Sequence, residues 1–151
     1  MSANASTTPD ARAAWHALLQ VSSRMLREFD RRLGRDHGIG VREFDVLITL
    51  DRPGGRGLRM TELANAVMVT SGGLTRLVGR LEERGLVRRV QDPDDGRSFH
   101  ALLTDDGRAQ LAAARITHDA VIGELLGSRL SAADVERLGR ILGRALDGGQ
   151  H

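Results

Sequence analysis

The chain has 151 residues, of which 40% are hydrophobic and 28% charged, as is typical of a globular protein with one core. It contains no cysteine, which excludes disulfides, thiolate metal sites and cysteine-based redox sensing. Its formal net charge is only +2, so affinity for an acidic partner must depend on where the charges lie.

The amino terminus and the hydropathy pattern argue against export or membrane insertion. The opening MSANASTTPD lacks the basic start and apolar stretch of a signal peptide, and we predict that residues 1–10 are disordered. No apolar run approaches the roughly 20 residues that a membrane helix needs. We therefore expect a cytoplasmic protein that does not associate with membranes.

Two helices are predicted at the start of the ordered region. In residues 11–34, apolar positions recur at alternating steps of three and four, which defines one helical face. That face comprises Trp15, Leu18, Ser22, Met25, Phe29 and Leu33. Glycines at 34, 38 and 40 are predicted to end this helix. A second helix is predicted over residues 41–51, followed by a glycine-rich loop and a short strand at Leu58 and Arg59.

Residues 61–85 have the pattern of two helices separated by a tight turn. Thr61 to Val67 is predicted to be a short helix, and Thr70 is predicted to cap the next one. The core stripe of that fourth helix is Leu74, Leu77, Val78 and Leu81. Arg76, Arg80 and Arg84 lie four apart on another face. Glycines at 72, 73 and 79 each cost about 1 kcal/mol relative to alanine; either packing tolerates them, or the backbone must approach a partner closely.

A β-hairpin and two more helices are predicted to follow. Strands over residues 86–91 and 98–103 flank an acidic turn, after which Thr104 caps a helix running to about Gly127. A last helix begins at a capping box formed by Ser131 and Asp134. Five arginines and two glutamates between residues 76 and 89 give that segment a charge of +3. Helix, turn, cationic helix and cationic hairpin form the winged arrangement that grips duplex DNA.

These segments resemble the MarR family of winged helix-turn-helix regulators over about residues 11–146. The matching motifs are Phe44-Asp45-Val46-Leu47, Glu62-Leu63-Ala64, Leu74-Thr75-Arg76-Leu77-Val78, Arg80-Leu81-Glu82, Gly85-Leu86-Val87, Asp92-Pro93-Asp94-Asp95-Gly96-Arg97 and Leu103-Thr104-Asp105-Asp106-Gly107. The chain is similar to actinobacterial-type members in having Ser-Gly at the head of the fourth helix. It departs from the family at Met68, where glycine is frequent, and at Gly96, where a basic residue is frequent.

The resemblance implies a mainly α fold with a small β-hairpin wing. Within a domain of residues 11–148, the winged helix would span 41–104, and helices at 11–34 and 105–147 would form the dimer. The implied function is a dimeric repressor of a nearby or divergent gene. A small aromatic or phenolic effector would release it from a palindromic operator. The implied DNA-binding residues are Thr70, Ser71, Gly72, Thr75, Arg76, Arg80 and Arg97, with Asp95 and Arg97 in the wing.

The residues themselves allow more than one role for each implied DNA contact. Arg76 is placed to form a bidentate pair with guanine, or to contact a phosphate. The hydroxyls of Ser71 and Thr75 suit bases or phosphates, but also capping and packing. Arg80 and Arg84 suit phosphates, ion pairs with Glu82 or Glu83, or water. Arg97 suits a narrow minor groove or an intrachain pair with Asp95.

Three side chains are candidates for an effector pocket, namely Trp15, Asp45 and His118. Each has a simpler alternative role: Trp15 as dimer core, His118 as a buried or interface residue, and Asp45 as a paired or exposed carboxylate. None of the five histidines has a partner at zinc-ligand spacing, so we expect no metal and no cofactor.

An enzyme and an effector-independent DNA-binding protein are the competing hypotheses. The sequence has no nucleophile elbow, no phosphate-binding loop and no His-Glu-x-x-His motif, so we expect no catalytic residue. Aromatic residues make up 3% of the chain, which disfavours stacking on single-stranded nucleic acid. An architectural DNA-binding protein without an effector remains the alternative to a ligand-responsive regulator.

Overall fold

Six α-helices, one π-helical segment and three short strands make up the computed structural model, which describes residues 8–147. In chain order these are α1 (Pro9–His37), α2 (Val41–Leu50), β1 (Leu58–Arg59), α3 (Met60–Ala66), α4 (Ser71–Glu83), β2 (Val87–Gln91), β3 (Phe99–Leu103), α5 (Asp105–Ile122), the π-helical segment (Gly123–Gly127) and α6 (Ala132–Asp147). The expected mainly α fold with a hairpin wing is confirmed.

The chain divides into two compact units. The central unit comprises residues 29–118, and the terminal unit comprises residues 1–28 and 119–151, of which 8–28 and 119–147 are described. Both boundaries fall inside helices, so α1 and α5 each contribute to both units. The predicted limits of 41–104 for the winged helix are therefore narrower than the central unit.

Helix α1 starts earlier and ends later than predicted. The hydroxyl of Thr8 accepts a hydrogen bond from the N–H of Ala11 at 3.2 Å, as an N-cap does, and Pro9 occupies the first helical turn. The prediction of disorder to residue 10 is thus wrong for residues 9 and 10, while residues 1–7 lie outside the described part. Gly34 does not end the helix; the turn comes at Gly38, whose φ is +66°.

The core of the central unit is built on the predicted apolar stripe of α4. All four of its members are buried, namely Leu74, Leu77, Val78 and Leu81. Helix α4 contacts α2 and α3, and the other fully buried side chains of the unit include Phe44, Leu47, Leu63 and Leu111. Each such side chain contributes about 1.5–3 kcal/mol on burial, so this stripe fixes the face that α4 turns to the core.

The turn between α3 and α4 shows why glycine would suit the position that Met68 occupies. The N–H of Val69 donates to the carbonyl of Ala64 (3.1 Å) and that of Met68 to the carbonyl of Asn65 (3.3 Å). This pair of bonds is a Schellman motif, which needs a left-handed residue, and Met68 has a φ of +53°. Its side chain is 83% exposed. The methionine therefore occupies, at some strain, a backbone conformation that suits glycine.

The predicted hairpin is part of a three-stranded antiparallel sheet in the order β1-β3-β2. Leu58 pairs with Ala101, which confirms the short strand, and Val87 pairs with Leu103. Thr104 then caps α5, because its hydroxyl accepts the N–H of Gly107 at 2.9 Å. The prediction of one α-helix to about Gly127 is wrong for the last five residues, because α5 ends at Ile122 and Gly123–Gly127 is π-helical.

The terminal unit leaves most of its apolar surface exposed. Among its described residues only Val121 is buried, and Trp15 is 55% exposed. A groove of about 510 Å³ within this unit is lined by Ala14, Trp15, Ala17, Leu18, Val21, Ser22, Met25, Leu126, Leu130, Leu138, Ile141 and Leu142. Across residues 8–147, no helix is long and apolar enough to span a membrane.

Candidate DNA-binding surface

The amino-terminal turn of α4 presents small polar groups to solvent. The hydroxyl of Thr70 accepts the N–H of Gly73 at 3.1 Å, which confirms the predicted cap. Ser71, Gly72 and Thr75 are exposed, and the hydroxyl of Thr75 donates to the carbonyl of Ser71 at 3.0 Å. The oxygen of Thr75 thus stays available as an acceptor only.

Packing does not explain all the glycines of α4. A Cβ added to Gly72 or Gly79 would meet nothing within 4 Å, whereas one on Gly73 would lie 3.1 Å from the Thr70 hydroxyl. Packing therefore supplies no need for glycine at 72 or 79. Two alternatives stay open for Gly72, namely a helix that tolerates the glycine and close approach of the backbone to DNA.

The three arginines spaced four apart on α4 have different surroundings. Arg76 is exposed, and its guanidinium has no hydrogen bond or ion pair within the described part of the chain. The Nε of Arg80 lies 2.7 Å from Oε1 of Glu43, so its predicted protein partners, Glu82 and Glu83, were wrong. Glu43 lies 37 residues away, and no local pattern reveals such a pair. The contact of Arg80 with a phosphate stays a prediction.

Arg84 donates to main-chain carbonyls instead of to a carboxylate. Its Nη1 lies 2.6 Å from the carbonyl oxygen of Gly38, and its Nη2 lies 3.0 Å from that of His37. Glu82 meanwhile accepts the N–H and Nε–H of Arg89, at 3.0 and 2.8 Å. Of the three spaced arginines, Arg76 is therefore the one whose guanidinium is left for a partner.

A buried carboxylate organises the base of the wing. Asp92 is 5% exposed, and its Oδ1 accepts the N–H groups of Asp94 (2.9 Å) and Asp95 (3.3 Å). Its Oδ2 lies 3.0 Å from Arg59 of β1 and 3.6 Å from Nδ1 of His100. The N–H groups of Asp94 and Asp95, helped by Arg59, hold the pKa of Asp92 below its ordinary value. This role was not predicted from the sequence, although Asp-Pro-Asp is a turn-forming motif in which a carboxylate often caps the backbone.

Asp95 binds the backbone of the wing and does not pair with the guanidinium of Arg97. It accepts the backbone N–H of Arg97 at 3.1 Å and the hydroxyl of Ser98 at 2.7 Å. The Ser98 hydroxyl, followed by that N–H, lowers the pKa of Asp95. The guanidinium of Arg97 has no partner in residues 8–147. Asp95 thus shapes the turn and leaves the charge of Arg97 exposed.

The three effector candidates fall in two different units. Trp15 lines the groove of the terminal unit, while Asp45 and His118 belong to the central unit. The ring of His118 stacks between Phe29 and Phe44, at centroid distances of 4.5 and 4.6 Å. This arrangement supports the packing role of His118. Within the described residues, no group of three or more metal-ligating side chains occurs.

Asp45 is expected to reduce stability at neutral pH. Burial is the largest effect on the Asp45 carboxyl and raises its pKa. Arg42, 3.6 Å away, opposes this effect. A raised carboxyl pKa means that the folded state favours the protonated form. The destabilisation caused by the ionised carboxylate therefore decreases as the pH falls through that pKa. Asp45→Asn should therefore raise the free energy of unfolding at neutral pH, with a smaller gain in mild acid. Urea titrations at both pH values check this; a loss at neutral pH would show that the pair with Arg42 outweighs burial.

Comparisons with known proteins agree with this geometry. A family model described as MarR family matches residues 37–98. The HTH-type transcriptional regulator PecS of Dickeya dadantii is 33% identical over 129 residues, 84% of this chain and 76% of that protein. Sco3205 of Streptomyces coelicolor, a MarR family transcriptional regulator solved in complex with DNA, has a TM-score of 0.84 at 31% identity, covering 95% of this chain and 91% of that one.

A further solved structure is CouR of Rhodococcus jostii RHA1, bound to p-coumaroyl-CoA. It has a TM-score of 0.71 at 28% identity, covering 83% of this chain and 86% of that one. The relatives and the fold are those of transcriptional regulators, which agrees with the expectation of no enzyme. The chain therefore belongs to the MarR family of DNA-binding transcriptional regulators.

Proposed function

We propose that this protein is a dimeric repressor that binds a palindromic operator through α4 and is released by a small aromatic or phenolic effector. The observation that carries the DNA-binding part is the exposed, unpartnered guanidinium of Arg76 in the front half of α4. Side chains in this part of a recognition helix reach base edges in the major groove. As a DNA-binding regulator, the protein is expected to act in the cytoplasm.

Several groups around Arg76 support the same contact surface. Ser71 and Thr75 offer hydroxyl oxygens, and Gly72 leaves the helix backbone without a side chain in open space. An arginine can bind O6 and N7 of guanine together, which discriminates by about 1–3 kcal/mol against the wrong base. We assign a base contact to Arg76, and contacts with the DNA phosphate backbone to Ser71, Gly72 and Thr75.

The surplus apolar surface of the terminal unit supports the dimer. Monomeric proteins rarely expose large contiguous apolar patches, and this groove is lined almost entirely by apolar side chains. A second copy related by a two-fold axis covers it with the same surface. Two recognition helices would then meet two half-sites about one helical turn apart on the duplex.

An aromatic effector is supported by one structural neighbour. CouR was solved with an aromatic acyl thioester, p-coumaroyl-CoA. Of the three effector candidates, Trp15 lines the groove that the second copy would cover, whereas Asp45 and His118 lie in the other unit. An effector-independent architectural protein is the alternative, and it predicts DNA affinity that no small aromatic compound changes.

Arg97 is expected to contribute affinity without much sequence preference. Because its guanidinium is free and the turn is held by Asp92 and Asp95, it can enter a narrow minor groove, where the negative potential is strong. Arg97→Ala should weaken binding to all duplexes and reduce the slope of log K against log[salt] by about one unit for each arginine removed from the DNA. Arg97→Lys is the matched control, since it keeps the charge. Unchanged binding by Arg97→Ala would mean that the wing stays off the groove.

The proposed function is tested by selecting duplexes from a random library with the wild-type protein. We expect a palindromic consensus and much tighter binding to it than to a scrambled duplex. Adding phenolic acids or aromatic acyl thioesters to the complex should then release the DNA. Equal affinity for selected and scrambled duplexes contradicts the operator. Selective binding that no aromatic compound weakens favours the architectural alternative.

A further inference from the structure

The carboxyl end of the recognition helix is tied to the end of α1 through Arg84. His37 is the last residue of α1 and Gly38 follows it, so neither carbonyl accepts a hydrogen bond from within the helix. Arg84 donates one hydrogen bond to each, at 3.0 and 2.6 Å. Its guanidinium also lies against the backbone, since a Cβ on Gly38 would be 3.6 Å from Nη2.

The carbonyl of His37 also accepts a hydrogen bond from a side chain of α5. Nε2 of Gln110 lies 3.0 Å from the carbonyl oxygen of His37. The ring of His37 in turn lies 2.7 Å from the hydroxyl of Thr117, also on α5. The pair His37-Gly38 is therefore a junction at which side chains from α4 and α5 converge on the end of α1. A cation is favoured there because helix carboxyl ends carry partial negative charge.

We propose that Arg84 is a positioning residue for DNA recognition, which sets the tilt of α4 by gripping the carboxyl end of α1. The inference rests on the proposed role of α4 in the major groove. Arg84 is eight residues from Arg76, or about 12 Å along the helix. If α4 tilts by about 5° about its carboxyl end at Arg84, Arg76 moves by about 1 Å. That shift is enough to break hydrogen bonds to base edges but not the looser contacts with phosphates.

The test compares Arg84→Met, Arg84→Lys and Gln110→Met on a duplex selected by the wild-type protein and on its scrambled version. Arg84→Met should lower affinity for the selected duplex about tenfold, the cost of one misplaced base contact, and change affinity for scrambled DNA by no more than about twofold. Lysine should not restore the preference, because one ammonium group cannot reproduce the fixed fork that spans two carbonyls. Gln110→Met alters no charge, and it should also lower the preference for the selected duplex over the scrambled one.

Other outcomes overturn the proposal. Equal losses on both duplexes, with a salt slope reduced by about one unit and rescue by lysine, would make Arg84 a phosphate contact. A lower melting temperature with unchanged affinity for both duplexes would leave it a purely structural residue. If Arg84→Met does not fold, Arg84→Lys and Gln110→Met still decide the question. A wild-type protein that fails to discriminate the two duplexes would refute the proposed function itself, whatever Arg84 does.

Discussion

Replacing Gly107 with alanine is expected to destabilise the central unit by about 3 kcal/mol or more. A Cβ at this position would lie 2.0 Å from the carbonyl oxygen of Leu86 and 2.8 Å from Cδ1 of Leu103. The contact is with backbone, so no side-chain rotation relieves it. Helix α5 must move away, which strains the bond from the N–H of Thr104 to the same Leu86 carbonyl, now 3.1 Å.

Gly34→Ala is the matched control for this change. Gly34 also lies in a helix, and a Cβ there would meet nothing within 4 Å. Alanine should therefore stabilise the protein by about 0.5–1 kcal/mol, the difference in helix propensity. Urea denaturation of both variants measures the two effects. Similar small changes in both would show that α5 does not pack as closely on the Leu86 carbonyl as the structure indicates.

Leu18→Glu is expected to dissociate the proposed dimer. Leu18 lines the apolar groove of the terminal unit and is 41% exposed within one chain. In a two-fold interface the substitution occurs twice, and each copy removes apolar contact and buries a charge. A loss of at least about 3 kcal/mol, or more than about 100-fold in dissociation constant, should follow. Sedimentation over a range of concentrations measures it.

Gln20→Glu is the control for the added charge. It introduces the same group two residues away on α1, on a different side of the helix, and Gln20 is not among the residues that line the groove. This variant should remain dimeric. If the wild-type chain itself sediments as a stable monomer, the apolar groove is covered in some other way and the dimer is wrong.

The predictable features of this protein are those encoded locally. The stripe from Leu74 to Leu81 follows from a 3.6-residue period, and the Thr70 cap follows from a hydroxyl one residue before the helix. Their physical causes lie within a few residues of each other. The helix-turn-helix and its wing could therefore be located from the amino-acid sequence alone.

The features that were missed depend on contacts between distant segments. Arg80 and Glu43 are 37 residues apart, and Arg84 and Gly38 are 46 apart, so spacing could not reveal which arginines of α4 are engaged. Asp92 was assigned only to a turn, because its bond to Arg59 needs the pairing of β1 with β3. The π-helical segment after α5 likewise has no simple periodic signal.

The central claim is that Arg76 reads a base, and one titration tests it most directly. Arg76→Ala is measured against wild type on the selected duplex and on its scrambled version, at several salt concentrations, beside Arg97→Ala. We predict a loss of about 1–3 kcal/mol on the selected duplex, confined to one base position per half-site, and little loss on scrambled DNA. Equal losses on both duplexes would contradict this claim and make Arg76 a phosphate contact.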